Sequence, residues 1–340
     1  MKNNFPNSFN NKKILFMIPT GLGDFIKSLG IFSSIKKQYP TAILDIAIVN
    51  DGVNTLKNFV SYIDDIITLN IKKFTFFDYF LYFLFKGWKD IKKINSKKHD
   101  LVICLTLNPL RRYLLTFIKA KNKIVFPITG TDVIKEYNFI SNLEIKIIQQ
   151  QISLFDKLDD SERVVPLLPL LHNKKNIIIN MFCADSPNSV RDWQKWGELI
   201  EKIADKFNII LIGKADFNYK KYYKLDYSKV VDLINKIDLK SLVFLFRKSD
   251  LVITVDSFPF HLAYAVGAPV VGLFGPVDPE TRIPPSVSRK NIYYLYNNKY
   301  NEVKLMVGNK LKKELKRNRN VYMDNIDVED VVGKINDIFK

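Results

Sequence analysis

Short apolar runs recur along the first part of the chain, separated by gaps that could hold a helix. Lys12–Ile18, Ala42–Val49, Ile63–Leu69, His99–Leu105 and Lys123–Phe126 are rich in Ile, Leu and Val. Runs of that length predict buried strands, and strands alternating with helix-sized gaps predict a parallel α/β sheet. A helix is expected over Phe25–Gln38 and another over Asn108–Ala120. Thr129–Tyr137 reads as a loop, and Asn142–Leu158 as a helix closing the domain. The polar, Asn-rich residues 1–11 read as a disordered tail, with no secretory signal in them.

The pattern then breaks. Asp159–Lys175 mixes charge and proline with weak periodicity, which predicts a linker. Beyond it the alternation resumes with strands at Asn176–Met181, Asn208–Ile212, Val230–Leu233, Leu251–Val255 and Val270–Phe274. Helices are expected over Trp193–Phe207, Leu239–Arg247, His261–Val266 and Val328–Phe339. Gly267-Ala268-Pro269 stops the third of these, because proline disfavours helical geometry in the residue before it. The chain therefore reads as α/β, with two Rossmann-like domains at 12–158 and 176–340 joined by 159–175. One stretch fits neither period: 74–88 is apolar nearly all round, with Lys72, Lys73, Lys86 and Lys89 about it. It is too short to span a bilayer, and core, subunit contact and membrane-surface docking all remain open for it.

Composition alters this picture in one respect. The 340 residues are 47% hydrophobic and 26% charged, ordinary for a folded protein, but the net charge is +17. Such an excess suits an anionic partner: nucleic acid, an anionic membrane surface, or a phosphorylated substrate. A lysine-rich codon bias would produce it too. No recognition helix, zinc knuckle or aromatic RNA motif stands out, so nucleic acid is not expected. Cys104 and Cys183 lie far apart without metal-ligand spacing, consistent with reduced thiols in a cytoplasmic setting.

Two strand-to-helix turns carry the candidate chemistry. In the first, Gly21-Leu22-Gly23 allows close backbone approach but lacks the third glycine of a dinucleotide fingerprint. Asp24 follows, either as a helix N-cap or as a functional carboxylate. In the second, Asp256 and Ser257 end a strand and a helix containing His261 begins. A helix start offers backbone N–H groups and a positive dipole end, which can seat a phosphate.

The second turn, as Asp256-Ser257-Phe258-Pro259-Phe260-His261-Leu262-Ala263 followed by Gly267-Ala268-Pro269 and Leu273-Phe274-Gly275-Pro276, resembles the C-terminal signature of glycosyltransferase family 9, the ADP-heptose:lipopolysaccharide heptosyltransferases. The departure is Phe258, where that family usually has glycine. The Gly-Asp turn with its helix ending near Tyr39-Pro40, and the strand opening at His99-Asp100, are similar to further family motifs. Arg191-Asp192-Trp193 resembles a Lys-x-Trp-Pro pattern, with arginine for lysine and Gln194 for proline. After Gly213, Lys214-Ala215-Asp216 replaces the usual second glycine and glutamate, and the cysteine pair expected near 321–326 is missing.

The resemblance implies a GT-B architecture, two Rossmann-like domains with parallel sheets facing a central cleft. It implies an inverting transferase moving a sugar, foremost heptose from ADP-heptose, onto a lipopolysaccharide core or lipid A acceptor. Asp24 would be the general base. Arg191, with Lys195 in reserve, Asp216, Asp256, Ser257, Phe258 and His261 would bind the donor, and Gly21, Gly23 and Gly275 would shape its loops. Arg111 and Arg112 are acceptor-side candidates, against the alternative of a solvated helix surface. No metal or other cofactor is implied, since no Asp-x-Asp motif is present. Peripheral contact with the anionic inner membrane fits the charge. Competing readings are a UDP-hexose or UDP-N-acetylhexosamine donor, a GT-B-type nucleotide-sugar epimerase, and an inactive transferase.

Overall fold

In the computed structural model the described residues are 8–18, 21–49, 52–69, 87–105, 114–126, 132–149, 153–157, 170–171, 174–183, 186, 189–275, 277–296 and 321–340. Most of the run 74–88, both acceptor-side arginines Arg111 and Arg112, and most of the predicted linker lie outside them. The chain divides into two compact units: 1–158 with 281–288, and 159–280 with 289–340.

Unit 1 contains β1 (Lys13–Met17), α1 (Leu22–Gln38), β2 (Ile43–Ile48), α2 (Gly52–Lys57), β3 (Asp65–Thr68), α3 (Gly87–Ser96), β4 (Leu101–Cys104), β5 (Asn122–Val125) and α4 (Val133–Ser141). The strands form one parallel sheet in the order β3-β2-β1-β4-β5. The interior of β1 is fully buried, as expected of a central strand covered on both faces. Carboxylates fasten the start of the sheet. Asp100 accepts from the Lys13 N–H at 3.0 Å, and buried Asp45 lies 2.9 Å from His99 Nε2. Within the expected tail, Phe9 is an apolar ring buried edge-on against Tyr39, with centroids 5.2 Å apart.

Unit 2 contains β6 (Asn176–Asn180), α5 (Trp196–Ile203), β7 (Asn208–Ile212), α6 (Tyr219–Tyr223), β8 (Val231–Asp232), α7 (Leu239–Lys248), β9 (Leu251–Val255), α8 (Phe258–Val266), β10 (Val270–Phe274), β11 (Ile292–Tyr296), α9 (Val321–Asp324) and α10 (Val328–Phe339). Its sheet runs β11-β10-β9-β6-β7-β8, again all parallel. Trp193 and Trp196 anchor the core, with rings edge-on at 4.9 Å.

Several expectations need correction. The helix expected over Asn142–Leu158 is absent from its described part. A helix lies instead at Val133–Ser141, starting within the predicted loop and running four residues past it, because Asp132 caps it by accepting from the Ile134 and Lys135 N–H groups. The helix expected over Trp193–Phe207 is confined to Trp196–Ile203, since Trp193 is drawn into the core ahead of it. The basic loop 282–290, expected in the second domain, belongs through residue 288 to unit 1. Strand β11 was not anticipated, although Ile292-Tyr293-Tyr294-Leu295-Tyr296 has the aromatic and β-branched content of a strand.

Both sheets reverse their winding direction once. In unit 1 the reversal falls between β1 and β4, and in unit 2 between β6 and β9. Ligands of open α/β sheets bind beyond the carboxyl ends of strands at such points. The first leads into Asp24 through β1, and the second into Asp256-Ser257 through β9.

Candidate functional site

Unit 1 contributes the turn after β1. Gly21 is the N-cap of α1 in extended geometry, so Asp24 is the third residue of the helix and not its cap. Its carboxylate reaches back to accept the Gly21 N–H at Oδ2, 3.1 Å away. That is the reciprocal half of a capping box. Gly21 itself gives close quarters to this contact, since a Cβ there would stand 3.1 Å from Asp24 Oδ2. Gly23 lies in the first turn of the helix.

The other oxygen, Asp24 Oδ1, is 2.7 Å from the ammonium of Lys27, whose side chain is only 7% exposed. Burial raises the Asp24 carboxyl, but Lys27, the Gly21 N–H and the Arg282 charge outweigh it and hold the group below the usual carboxylate range. Asp24 is therefore an anion at neutral pH with a free-lying share of its lone pairs, able to accept a further proton donor.

Unit 2 builds the second turn around Asn180, a residue the sequence did not mark. It closes β6, and its side-chain amide donates to the Phe182 carbonyl at 2.7 Å, to Thr254 Oγ1 at 3.1 Å and to Ser257 Oγ at 3.2 Å. Ser257 is the N-cap residue of α8, yet its side chain makes no capping bond. The start of α8 thus keeps its dipole end uncovered by its own cap. Arg191 joins this turn, with Nη1 donating to the Asp256 carbonyl at 2.7 Å. A guanidinium is thereby fixed beside a helix N-terminus, an arrangement suited to a diphosphate.

The three residues Arg191-Asp192-Trp193 point to three places. Asp192 is buried and accepts from Tyr222 Oη at 2.7 Å and from Tyr223 Oη, pinning the loop to α6. Burial, then the Asp192 charge, push the Tyr223 phenol far up, so it stays a donor. Trp193 Nε1 donates to the Ile326 carbonyl at 3.0 Å. Only Arg191 is brought to the helix start.

Other candidates fare differently. Lys195 is turned away to the C-terminal segment, with Nζ 2.8 Å from Asp327 Oδ1 and 2.8 Å from the Asp324 carbonyl. A cation with neighbouring carbonyls and a carboxylate is best satisfied there, so it is no reserve for Arg191. Phe258 is the first residue of α8 and is not among the described residues with positive φ, so the backbone at this point does not demand glycine. His261 is buried in α8 with Nδ1 3.0 Å from Tyr264 Oη, one turn on.

Gly275 serves packing: a Cβ there would meet Met323 Sδ at 2.8 Å and the Val190 carbonyl at 3.2 Å. Gly213 has φ of 129°, and a Cβ there would stand 2.6 Å from the Phe182 ring, so this turn needs glycine on both counts. Beyond it Asp216 is exposed. Asn235 holds that loop, accepting from the Ala215 N–H at 3.0 Å and donating to its carbonyl at 2.8 Å. Among the described residues no group of three or more His, Cys, Asp or Glu could hold a metal ion, so no ligand set is assigned.

Known proteins share this architecture and sequence. The profile of glycosyltransferase family 9 (heptosyltransferase) matches residues 111–313. The lipopolysaccharide core heptosyltransferase OpsX of Haemophilus influenzae is 23% identical, over 95% of this chain and 96% of that protein. Among solved structures, a family 9 glycosyltransferase from Veillonella parvula is 17% identical with a TM-score of 0.73, over 97% of this chain and 98% of the other. The ADP-heptose lipopolysaccharide heptosyltransferase II of E. coli is 16% identical with a TM-score of 0.66, over 96% and 98%. The fold is thus α/β and GT-B-like, with two parallel sheets.

Proposed function

The chain belongs to glycosyltransferase family 9, and from that premise we propose that it transfers heptose from ADP-heptose to the core of a lipopolysaccharide precursor, with inversion and with Asp24 as general base. Unit 2 holds the donor and unit 1 carries the base. The observation that carries the donor half is the Arg191 guanidinium on the Asp256 carbonyl at the head of α8. For the base half, it is a carboxylate kept ionised beside Lys27 at the end of the central strand.

In this mechanism the acceptor hydroxyl gives its proton to Asp24 as its oxygen attacks the anomeric carbon. The bond from that carbon to the diphosphate oxygen breaks on the opposite side, and ADP leaves with the electron pair. Charge developing on the diphosphate is met by Arg191 and by the N–H groups opening α8. Fixed donors of this kind stabilise a transition state without reorganising. A carboxylate of low basicity suffices as the base, because the hydroxyl acidifies as its new bond forms.

OpsX is a lipopolysaccharide core heptosyltransferase, and a related E. coli enzyme was solved with ADP-2-deoxy-2-fluoro heptose, which supports the choice of donor and acceptor. Among the described residues no helix is long and apolar enough to cross a membrane. The net charge of +17 supports action at the anionic cytoplasmic leaflet, where the precursor would be presented. The exposed Asp216, standing where a glutamate is usual, favours keeping a UDP-hexose or UDP-N-acetylhexosamine donor as the second reading.

The test is a thermal-shift screen of ADP-heptose, UDP-hexoses and UDP-N-acetylhexosamines, repeated with Asp24→Asn. ADP-heptose is expected to stabilise both proteins, while the variant loses transfer to a deacylated core acceptor. Stabilisation by a UDP sugar alone would overturn the donor assignment, and wild-type transfer by Asp24→Asn would overturn the base.

A further inference from the structure

Four ionisable side chains gather in unit 1, and the reaction proposed above uses one of them. Asp24 and Lys27 form the close ion pair of α1, at 2.7 Å. Arg282 adds positive charge from the segment 281–288. The fourth is Glu136 of α4, which is 6% exposed. Its carboxyl makes no hydrogen bond or close ion pair among the described residues, and it lies in the fields of Lys27, Asp24, Asp132 and Arg282. A carboxyl at the start of a helix has favourable dipole energy on the surface as well, so that energy does not account for its burial.

The surrounding geometry is fixed by packing. Tyr137, next to Glu136, donates its hydroxyl to the Lys27 carbonyl at 2.8 Å and shares a hydrogen bond of 2.9 Å with Ser286 Oγ. Both contacts need Gly30. A Cβ at that position of α1 would fall 1.8 Å from Ser286 Oγ and 2.5 Å from Tyr137 Oη. Thus α1, α4 and 281–288 are locked together around the charges that act on Glu136.

We propose that Glu136 is a positioning residue for Asp24, acting on it through the buried Lys27 ammonium whose charge both carboxyls draw on. The inference rests on the reading of Asp24 as base. When the acceptor proton reaches Asp24, that carboxylate loses its charge and Lys27 is left as a buried cation. Ionised Glu136 then supplies the compensating charge, and before transfer it makes Asp24 a stronger proton acceptor. Protonated Glu136 does neither.

The pH dependence follows. Burial pushes Glu136 up to about 7, against the pull of Lys27 and Arg282 and with the push of Asp24 and Asp132. Of the neighbours, Asp24 is held low, and Tyr137 is pushed far up, chiefly by burial, so neither changes charge near neutrality. Ionisation of Glu136 increases as pH rises, and transfer is expected to rise with it.

The experiment compares wild type, Glu136→Gln and Glu136→Asp. Carboxyl carbon NMR titration of Glu136 needs no substrate: its midpoint, about 7 in wild type, should fall in Asp24→Asn, where the neighbouring negative charge is gone. Transfer from ADP-heptose should rise about three- to tenfold through neutral pH in wild type. It should be flat at the lower level in Glu136→Gln, with donor KM unchanged, and should keep an inflection in Glu136→Asp. An unmoved Glu136 midpoint in Asp24→Asn, or a Glu136→Gln profile that keeps the wild-type inflection, would overturn the proposal and leave Asp24 as base. Transfer by Asp24→Asn would instead overturn the base assignment, a separate result.

Discussion

Asp24 and Arg191 are each held by short contacts at a strand-to-helix turn. The carboxylate of Asp24 is bound by the Gly21 N–H and by Lys27, which keep it charged and aimed. Arg191 spends one N–H on the Asp256 carbonyl and so keeps its charge beside the start of α8. A guanidinium can grip two phosphate oxygens at once, and an ammonium acts as a point charge. Arg191→Ala is expected to lower kcat/KM by about 100- to 1,000-fold, the scale for loss of one fixed transition-state donor. Arg191→Lys should lie between, because charge survives and the fork does not. Steady-state kinetics at saturating acceptor would check both, and an unimpaired Arg191→Ala would remove this residue from the donor site. Phe258 teaches a related point: a residue that departs from a glycine in a similar motif sits without positive φ as the first residue of α8.

Elements meet their neighbours through a few small residues. Gly30 lies in the middle of α1, where alanine would ordinarily favour a helix by about 1 kcal/mol. Here the added methyl would collide with Ser286 and Tyr137. Overpacking costs about 1–3 kcal/mol, so the collision outweighs the propensity gain. Gly30→Ala is therefore expected to destabilise the protein, lowering Tm by several degrees in a thermal melt. Ser286→Gly added to it should recover part of the loss, and a more stable Gly30→Ala would show that 281–288 does not pack on α1 as described. Strands β6, β7, β9 and β10 were legible because each is largely an apolar run, and they fall within a residue of their expected limits. The helix at Val133–Ser141 falls across an expected loop, although Val133, Tyr137 and Ile140 stand at helical spacing behind the Asp132 cap.

For the molecule as a whole, the positive charge is spread over a chain of two units, each with its own parallel sheet. Lysine or arginine near an anionic leaflet contributes about 1 kcal/mol each, and the attraction falls off within a Debye length of about 8 Å at physiological salt. The chain is expected to co-sediment with phosphatidylglycerol vesicles at low salt, to bind neutral vesicles far less, and to be released as salt rises. Equal binding to both vesicle types would exclude charge as the basis of membrane contact.

By itself the sequence determined what local patterns can encode: alternating strands and helices, and the two strand-end turns before α1 and α8. These were accessible because strand burial writes an apolar run and the motif residues lie close together in the chain. Tertiary structure alone decided the rest. Asn180 reaches Ser257 across 77 positions, Lys195 is diverted to Asp327 across 132, and 281–288 crosses from the second half of the chain into unit 1. Glu136 likewise draws on Lys27 and Asp24 of α1 and Arg282 of 281–288, besides Asp132 at the head of its own helix. No local pattern signals such partners, because burial and charge in a packed protein are set by neighbours in space. The turn that begins at Gly21 is thus legible as a carboxylate on a helix, while the charge that Arg282 brings to it is a property of the fold.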